Sequence, residues 1–248
     1  MERRQRIPRG TGQERLGAQV KPMSDALAVD ADKARAAEAA VSEVVSNMLV
    51  GLGTGSTAAH AITALGRRAA EGLTVRTVAT SLATARAAEA AGLTVLDFAD
   101  IAAVDLCIDG VDEIDPGFRA IKGGGGAMLR EKIVARSAAR MIAIADGSKR
   151  RAALRRAVPI EMLPFARASV AAHVAELGGN VIVRPGAISD QGNILADCSF
   201  ADMTDLAGLA ASLAAIPGLL GHGIFLDEID ALVISTHGYV ERCDRPLA

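Results

Sequence analysis

The stretch that most constrains the fold of this chain lies between residues 104 and 132. It opens with a short aliphatic run, 104–108, that is typical of a buried strand. The run ends at three closely spaced acids, Asp109, Asp112 and Glu113. In open α/β sheets, ligands bind at the carboxyl ends of the strands, so these carboxylates are candidate ligand groups.

The second half of this stretch combines a lysine, a glycine-rich loop and the start of a helix. Residues 118–121 lead into Lys122 and four successive glycines, and a helical pattern begins at Ala127 with Glu131 in its first turns. Glycines let backbone N–H groups approach a ligand closely, and a helix N-terminus adds partial positive charge. Each feature alone could be a turn, a cap or a solvated side chain. Together they favour a proton-transfer site, in which a cation and a carboxylate flank one loop.

Alternation of short aliphatic runs with Ala-rich helical patterns extends over the first part of the chain. Strands are predicted at 48–52, 74–79, 94–96, 104–108 and 141–145, with helices between them. The first helix is predicted to begin at a cap, Asp30 or Asp32, and to end near Val45. This alternation predicts an α/β fold with a doubly wound, mostly parallel Rossmann-like sheet.

The pattern changes near Arg150. The predicted order becomes strand, helix, two strands, helix and strand, which is the ferredoxin-like arrangement, and a hairpin at 231–242 then returns to the large sheet. We therefore expect a Rossmann-like catalytic domain formed by 23–155 and 231–248, with a smaller ferredoxin-like α+β domain inserted at 156–230. The Arg-rich segment 1–22 lacks apolar periodicity and is predicted to be a disordered leader.

A second glycine-rich turn, Gly51–Thr57, follows the first predicted strand and precedes a helix, as in sites that bind phosphate or other anions. Ser56 stands where a dinucleotide fingerprint would have its third glycine, and the strand at 74–79 ends in Thr80 and Ser81 without an acid for a ribose hydroxyl. The loop after Lys122 lacks the Gly-Lys-Ser/Thr ending of a P-loop. A nicotinamide cofactor and nucleotide hydrolysis are both disfavoured.

The composition indicates which binding partners and which cellular compartment to expect for this protein. A net charge of −2 and 2% aromatic residues offer neither a basic surface nor stacking platforms, so we expect no nucleic-acid or membrane partner. The three cysteines are far apart, which fits a reducing compartment, and together with the lack of a long apolar segment they predict a cytoplasmic protein. The four histidines lack the spacing of common metal sites, so no metal is predicted.

Five segments, taken in order and at their spacing, resemble the ribose-5-phosphate isomerase family of type A. They are Gly51–Ala58, Asp109–Glu113, Lys122–Gly125, Arg130–Lys132 and Ile144–Lys149, with weaker matches at 163–165 and 216–218. Each glycine loop alone is a weak signal, but the combination is highly specific and spans about residues 30 to 242. The sequence differs from the usual pattern at Val111, where alanine is more common.

This resemblance implies interconversion of ribose 5-phosphate and ribulose 5-phosphate, in the non-oxidative branch of the pentose phosphate pathway. It also implies that no metal or organic cofactor takes part and that the enzyme is a homodimer or homotetramer. The catalytic groups would be Glu131 as proton acceptor, with Lys122, Asp109 and Asp112. The implied substrate contacts are Thr54, Gly55, Ser56, Thr57, Asp109, Gly110, Val111, Asp112, Lys122, Gly123, Gly124, Gly125 and Lys149.

Isomerisation through an enediolate needs a base, stabilisation of the oxyanion and proton movement between two oxygens. We expect Glu131 to move the carbon proton, Lys122 to stabilise the oxyanion, and the two aspartates to contact hydroxyls or shuttle the proton. The 54–57 loop and Lys149 are expected to bind phosphate. Lys33 also matches a phosphate-binding lysine of the family, although the alignment at this position is looser. Which end of the sugar meets which loop stays open at this point.

Two alternatives follow from the same residues. One is a related sugar-phosphate isomerase or deaminase that acts on a hexosamine. The other is a non-catalytic sugar-phosphate sensor, which would keep the phosphate loops and lose the base. The presence of Glu131, Lys122 and both aspartates disfavours the sensor.

Overall fold

A seven-stranded sheet forms the centre of the computed structural model, which describes residues 22–246. In chain order its strands are β1 (Leu49–Leu52), β2 (Arg76–Ala79), β3 (Thr94–Val95), β4 (Leu106–Gly110), β7 (Met141–Asp146), β13 (Ala231–Thr236) and β14 (Tyr239–Asp244). Their spatial order is β14-β13-β7-β4-β1-β2-β3, and the pairs are parallel except for the β13–β14 hairpin. The predicted, mostly parallel sheet is therefore confirmed.

Helices cover both faces of this sheet, because its strands carry apolar side chains in both directions. The helices are α1 (Pro22–Val41), α2 (Ser56–Ala70), α3 (Leu82–Ala90) and α4 (Met128–Arg136). Leu106 and Ile108 of β4 pack with α1 and α2, whereas Cys107 between them packs with α4 on the other face. Between residues 22 and 246, no helix combines the length and apolarity needed to cross a bilayer.

The first helix differs from its prediction at both ends. It begins at Pro22 and ends at Val41, so the predicted cap at Asp30 or Asp32 is wrong. Asp32 lies inside the helix, where its carboxylate accepts hydrogen bonds from Ser235 Oγ at 2.7 Å, His237 N at 2.7 Å and Gly238 N at 2.8 Å. Asp32 thus ties α1 to the β13–β14 turn. The predicted leader lies outside the described residues, apart from Pro22.

A second sheet is inserted between β7 and β13. Its elements are β8 (Val158–Met162), α5 (Arg167–Glu176), β9 (Gly179–Ile188), β10 (Ile194–Phe200), α6 (Leu206–Ala214) and β11 (Leu219–His222). The four strands are antiparallel in the order β11-β8-β10-β9, and both helices pack on them through a separate apolar cluster. This order confirms the ferredoxin-like prediction.

A third, three-stranded sheet was not predicted. It consists of β5 (Glu113–Ile114), β6 (Ala120–Ile121) and β12 (Ile224–Phe225), in the order β12-β6-β5. The last strand of the predicted ferredoxin-like order, expected at 219–225, is therefore two strands, separated at Gly223. Directly after β6, the Lys122 N–H donates to Gly223 O at 2.9 Å. This small sheet fixes the backbone from which the candidate catalytic lysine projects.

Candidate active site

Three ionisable side chains meet at the buried floor of one cavity. Asp109 is the last residue but one of β4, Lys122 follows β6, and Glu131 lies in the first turn of α4. Their exposed fractions are 1%, 2% and 2%. The Lys122 ammonium lies 2.8 Å from Asp109 Oδ2 and 3.4 Å from Glu131 Oε2, and it donates to Gly110 O. Asp109 Oδ2 and Glu131 Oε2 accept no regular hydrogen bond from residues 22–246, so the three groups form a close ion cluster.

The other oxygen of Asp109 is held by the backbone. Asp109 Oδ1 accepts hydrogen bonds from Thr54 N at 3.2 Å and from Gly110 N at 2.6 Å. The chain can approach this closely because Gly53 has no side chain: a Cβ there would lie 1.9 Å from Asp109 Oδ1. Asp109 therefore has a fixed orientation, with Oδ2 directed at Lys122.

Burial dominates the protonation of this cluster. It raises the pKa of Glu131 to about 8, against the opposing effect of the Lys122 cation and with a further rise from Asp109. Burial also raises the pKa of Asp109, although Lys122 opposes the rise. For Lys122 itself, burial acts to lower the pKa, but the two carboxylates outweigh it and raise the pKa. Two buried carboxylates share one cation, so the cluster is suited to bind and release a proton near neutral pH.

The cavity above this floor has a volume of about 300 Å³. Of the catalytic and substrate-binding residues expected from the sequence, every one except Asp109 lines it: Thr54, Gly55, Ser56, Thr57, Gly110, Val111, Asp112, Lys122, Gly123, Gly124, Gly125, Glu131 and Lys149. Asp109 lies beneath Lys122. A larger cavity of about 570 Å³ lies elsewhere, beside α3 and α4, but mostly apolar side chains line it.

One end of the cavity is suited to an anion. Gly55 caps the N-terminus of α2 with φ of 124°, and Ser56 and Thr57 begin the helix, so backbone N–H groups of its first turn face this end. Lys33 reaches over from α1, and its Nζ donates to Ser56 Oγ at 3.1 Å. This end of the cavity therefore combines a helix N-terminus with the Lys33 cation, and Lys149 also lines the cavity.

Comparison with known proteins identifies the family of this chain. The family model described as Ribose 5-phosphate isomerase A (phosphoriboisomerase A) matches residues 76–238. Ribose-5-phosphate isomerase A of Sphingopyxis alaskensis is 47% identical over 216 residues, covering 85% of this chain and 95% of that protein. This chain belongs to the ribose-5-phosphate isomerase A family.

Solved structures of family members have the same fold. A D-ribose-5-phosphate isomerase in complex with phospho-erythronic acid aligns with a TM-score of 0.84 and 31% identity, covering 88% of this chain and 99% of that chain. The ribose 5-phosphate isomerase A of Methanocaldococcus jannaschii aligns with a TM-score of 0.83 and 33% identity, covering 87% and 99%. The family resemblance inferred from the short segments is thus confirmed.

In this ribose-5-phosphate isomerase A family member, a buried hydroxyl cluster supports the loop that holds Asp109. Thr54 Oγ1 lies 2.8 Å from Thr80 Oγ1, 2.9 Å from Ser81 Oγ and 3.0 Å from Thr84 Oγ1. Thr84 Oγ1 also donates to Gly53 O at 2.9 Å. Sequence reasoning missed this support, although the parallel pairing of β1 and β2 predicts that the polar end of β2 lies beside the first glycine turn.

The acids after β4 separate into two groups. Asp112 lines the cavity, and its Oδ2 accepts a hydrogen bond from Gly124 N at 2.7 Å. Glu113 instead accepts from the Arg155 and Arg156 amides at 2.9 and 2.8 Å, away from the cavity lining. Among residues 22–246, no group of three or more His, Cys, Asp or Glu side chains is arranged to hold a metal ion.

Proposed function

We propose that this protein interconverts D-ribose 5-phosphate and D-ribulose 5-phosphate. The observation that carries the proposal is the buried pair of Glu131 and Lys122, 3.4 Å apart, beneath a cavity whose other end is suited to a phosphate. Membership of the family supports the same reaction. The same proposal places the reaction in the non-oxidative branch of the pentose phosphate pathway and the protein in the cytoplasm, as a homodimer or homotetramer. It also includes the division of the chain into a catalytic domain, 23–155 with 231–248, and a smaller domain, 156–230.

The floor of the cavity supplies the groups that an enediolate mechanism needs. Glu131 removes the proton from one sugar carbon and returns it to the neighbouring carbon. Lys122 stabilises the negative charge that develops on the substrate oxygen, and it acts from a site where water does not screen it. Asp112, which lines the cavity, contacts the hydroxyls and moves the proton between the two oxygens. Asp109 positions Lys122 through the 2.8 Å contact.

In this proposal the phosphate binds at the opposite end of the cavity. The residues that support this placement are the 54–57 loop, Lys149 and Lys33. A phosphate there would meet the helix N-terminus and two cations, while the reacting carbons of an extended sugar would reach Glu131. This arrangement separates binding groups from reacting groups.

The test is an assay of the purified protein on ribose 5-phosphate and, in parallel, on glucosamine 6-phosphate. We expect turnover of the pentose phosphate, with exchange of its C2 hydrogen for solvent deuterium during isomerisation. Preferred turnover of the hexosamine phosphate would support the related isomerase or deaminase instead. Binding of either sugar phosphate without turnover would support the sensor.

The pH dependence of the reaction tests the protonation of Glu131. The carboxyl works as a base only when ionised, and its pKa is raised to about 8, so kcat/KM should fall as the pH is lowered below about 8. A pH–rate profile of kcat/KM measures this. A profile that stays flat down to about pH 5, or that falls only near the substrate phosphate pKa of about 6, would contradict a raised pKa at Glu131.

Replacement of Lys33 by methionine tests the phosphate end. We expect KM for ribose 5-phosphate to rise about tenfold with little change in kcat, because one charge-assisted contact to phosphate is lost far from the reacting carbons. The affinity for inorganic phosphate should fall by a similar factor. Arg35→Met is the control, since that side chain is directed at Asp32 instead of Ser56. An unchanged KM in Lys33→Met would remove Lys33 from the phosphate site.

A further inference from the structure

Arg184 connects the inserted sheet to the glycine loop after Lys122. It lies on β9, and its Nη1 donates to the carbonyl oxygens of Gly123 at 3.0 Å and Gly124 at 3.1 Å. The other side of the guanidinium is held by Asp197 of β10, with Nε to Oδ2 at 2.8 Å and Nη2 to Oδ1 at 2.7 Å. This bidentate pair fixes the plane of the guanidinium, so the position of the two loop carbonyls is fixed as well.

Holding the carbonyls determines where the loop amides point. In a trans peptide the C=O and N–H groups point in opposite directions, and the peptides between residues 22 and 246 are trans. With Gly123 O on Arg184, the Gly124 N–H points away from Arg184 and donates to Asp112 Oδ2 at 2.7 Å. Gly124 O is held in the same way, so the Gly125 N–H also points away from Arg184.

The Gly125 amide is the group left available by this arrangement. Gly125 lines the cavity, and no atom of residues 22–246 accepts a hydrogen bond from its N–H. A run of four glycines has many accessible backbone conformations, most of which would not present this N–H to a ligand. A restraint from outside the loop is therefore needed to keep the amide in place.

We infer that Arg184 is a positioning residue for the isomerase reaction, which holds the Gly124–Gly125 peptide so that the Gly125 N–H can donate to a substrate oxygen. Asp197 acts through Arg184 by fixing its guanidinium. The inference rests on the proposed function, because it assigns the amide to the same substrate. Fixing the loop before the substrate binds avoids paying the ordering cost during binding and reaction.

The test compares Arg184→Met with a matched variant, Arg67→Met. Arg67 also forms a bidentate pair with a carboxylate, to Glu38 at 2.9 and 2.7 Å, but between α1 and α2 and away from the cavity lining. We expect Arg184→Met to lower kcat/KM for ribose 5-phosphate about 10- to 100-fold, and Arg67→Met to leave it unchanged. The melting temperatures of the two variants should be similar.

A second measurement separates loop positioning from general loosening of the fold. Hydrogen exchange of the peptide that contains residues 122–126 should speed up in Arg184→Met and slow down less on addition of phospho-erythronic acid than in the wild type. The Kd for that compound should rise by a factor similar to the loss in kcat/KM. Arg184→Lys should recover little of the loss, because an ammonium cannot hold Asp197 and both carbonyls in one plane.

Asp197→Asn is a milder variant, because it keeps the Arg184 side chain. It replaces Arg184→Met in the test if Arg184→Met does not fold. It should lower kcat/KM about threefold to tenfold, with the same change in loop exchange. Activity within about twofold of the wild type in every folded variant, or an equal loss in Arg67→Met, would overturn the inference. Failure of the wild-type protein to isomerise ribose 5-phosphate would overturn the proposed function instead.

Discussion

Replacement of Glu131 by glutamine should lower kcat by about 10²- to 10⁴-fold while the fold and substrate binding persist. The amide fills similar space beside Lys122 but cannot accept a proton from a sugar carbon. Because Glu131 is buried and its pKa is raised to about 8, glutamine also resembles the protonated form that the site already holds at lower pH. The measurements are kcat, KM and the melting temperature of the purified variant.

Solvent exchange gives the same test a second readout. The wild-type enzyme should exchange the substrate C2 hydrogen for deuterium, and Glu131→Gln should lose exchange and turnover together. Glu113→Gln is the control, since this buried carboxylate lies close by in the sequence but accepts from backbone amides outside the cavity. A folded Glu131→Gln protein with near-normal turnover would exclude Glu131 as the base and direct attention to Asp109 and Asp112.

Replacement of Lys122 by methionine should affect both activity and stability. Turnover should fall by at least about 10²-fold, because the oxyanion loses its buried cation. The variant also leaves two buried carboxylates, Asp109 and Glu131, without the ammonium that now lies 2.8 and 3.4 Å from them. Breaking a buried ion cluster in this way costs about 3–5 kcal/mol in the free energy of unfolding.

The loss of stability in Lys122→Met should depend on pH with a defined sign. Without the cation, the pKa values of the two carboxyls rise further above their unfolded values, so the folded variant prefers them protonated. The contribution of these two carboxyls to the stability is then greatest below their unfolded pKa values and is lost as the pH rises through their folded pKa values. Thermal or urea unfolding of the wild type and the variant across a pH series measures this difference.

A double variant provides the control for this prediction. Lys122→Met combined with Glu131→Gln removes the cation and one of the carboxylates, so it should recover part of the lost stability at high pH without recovering activity. If the single and double variants had the same stability at every pH, Lys122 would not be the charge that balances Glu131.

Much of this site follows from rules that act over short stretches of sequence. The acids after β4 and the glycine turn after β1 could be expected to meet because parallel strands that pair side by side present their carboxyl ends at the same edge. The start of α4 could be predicted from the glycine run and the helical pattern that follows it. Each of these steps starts from a pattern that is visible within one short segment, and the strand-pairing rule then joins the segments.

The remaining features depend on partners that are distant in sequence. The two-residue strands around Lys122 are too short to show the alternation of apolar and polar residues that predicts a strand. The small three-stranded sheet therefore could not be predicted from the sequence. Arg184 reaches the glycine loop from about 60 positions away, and nothing local distinguishes it from a solvated arginine on a strand. Asp32 resembled a helix cap, but tertiary hydrogen bonds outweighed that local preference.

The hydrogen bonds of Asp32 also bear on the order in which the enzyme becomes competent during synthesis. Its acceptor oxygens are satisfied by residues 203 to 206 positions further along the chain. A nascent chain that has emerged only as far as Lys149 contains the ion cluster and both glycine loops, but to dock, α1 would have to bury the Asp32 carboxylate with only the 3.4 Å contact to Arg35. Because Lys33 directly follows Asp32, its contact with Ser56 should form only after the β13–β14 hairpin has left the ribosome. Ribosome-bound intermediates should therefore bind sugar phosphates more weakly than the completed chain does.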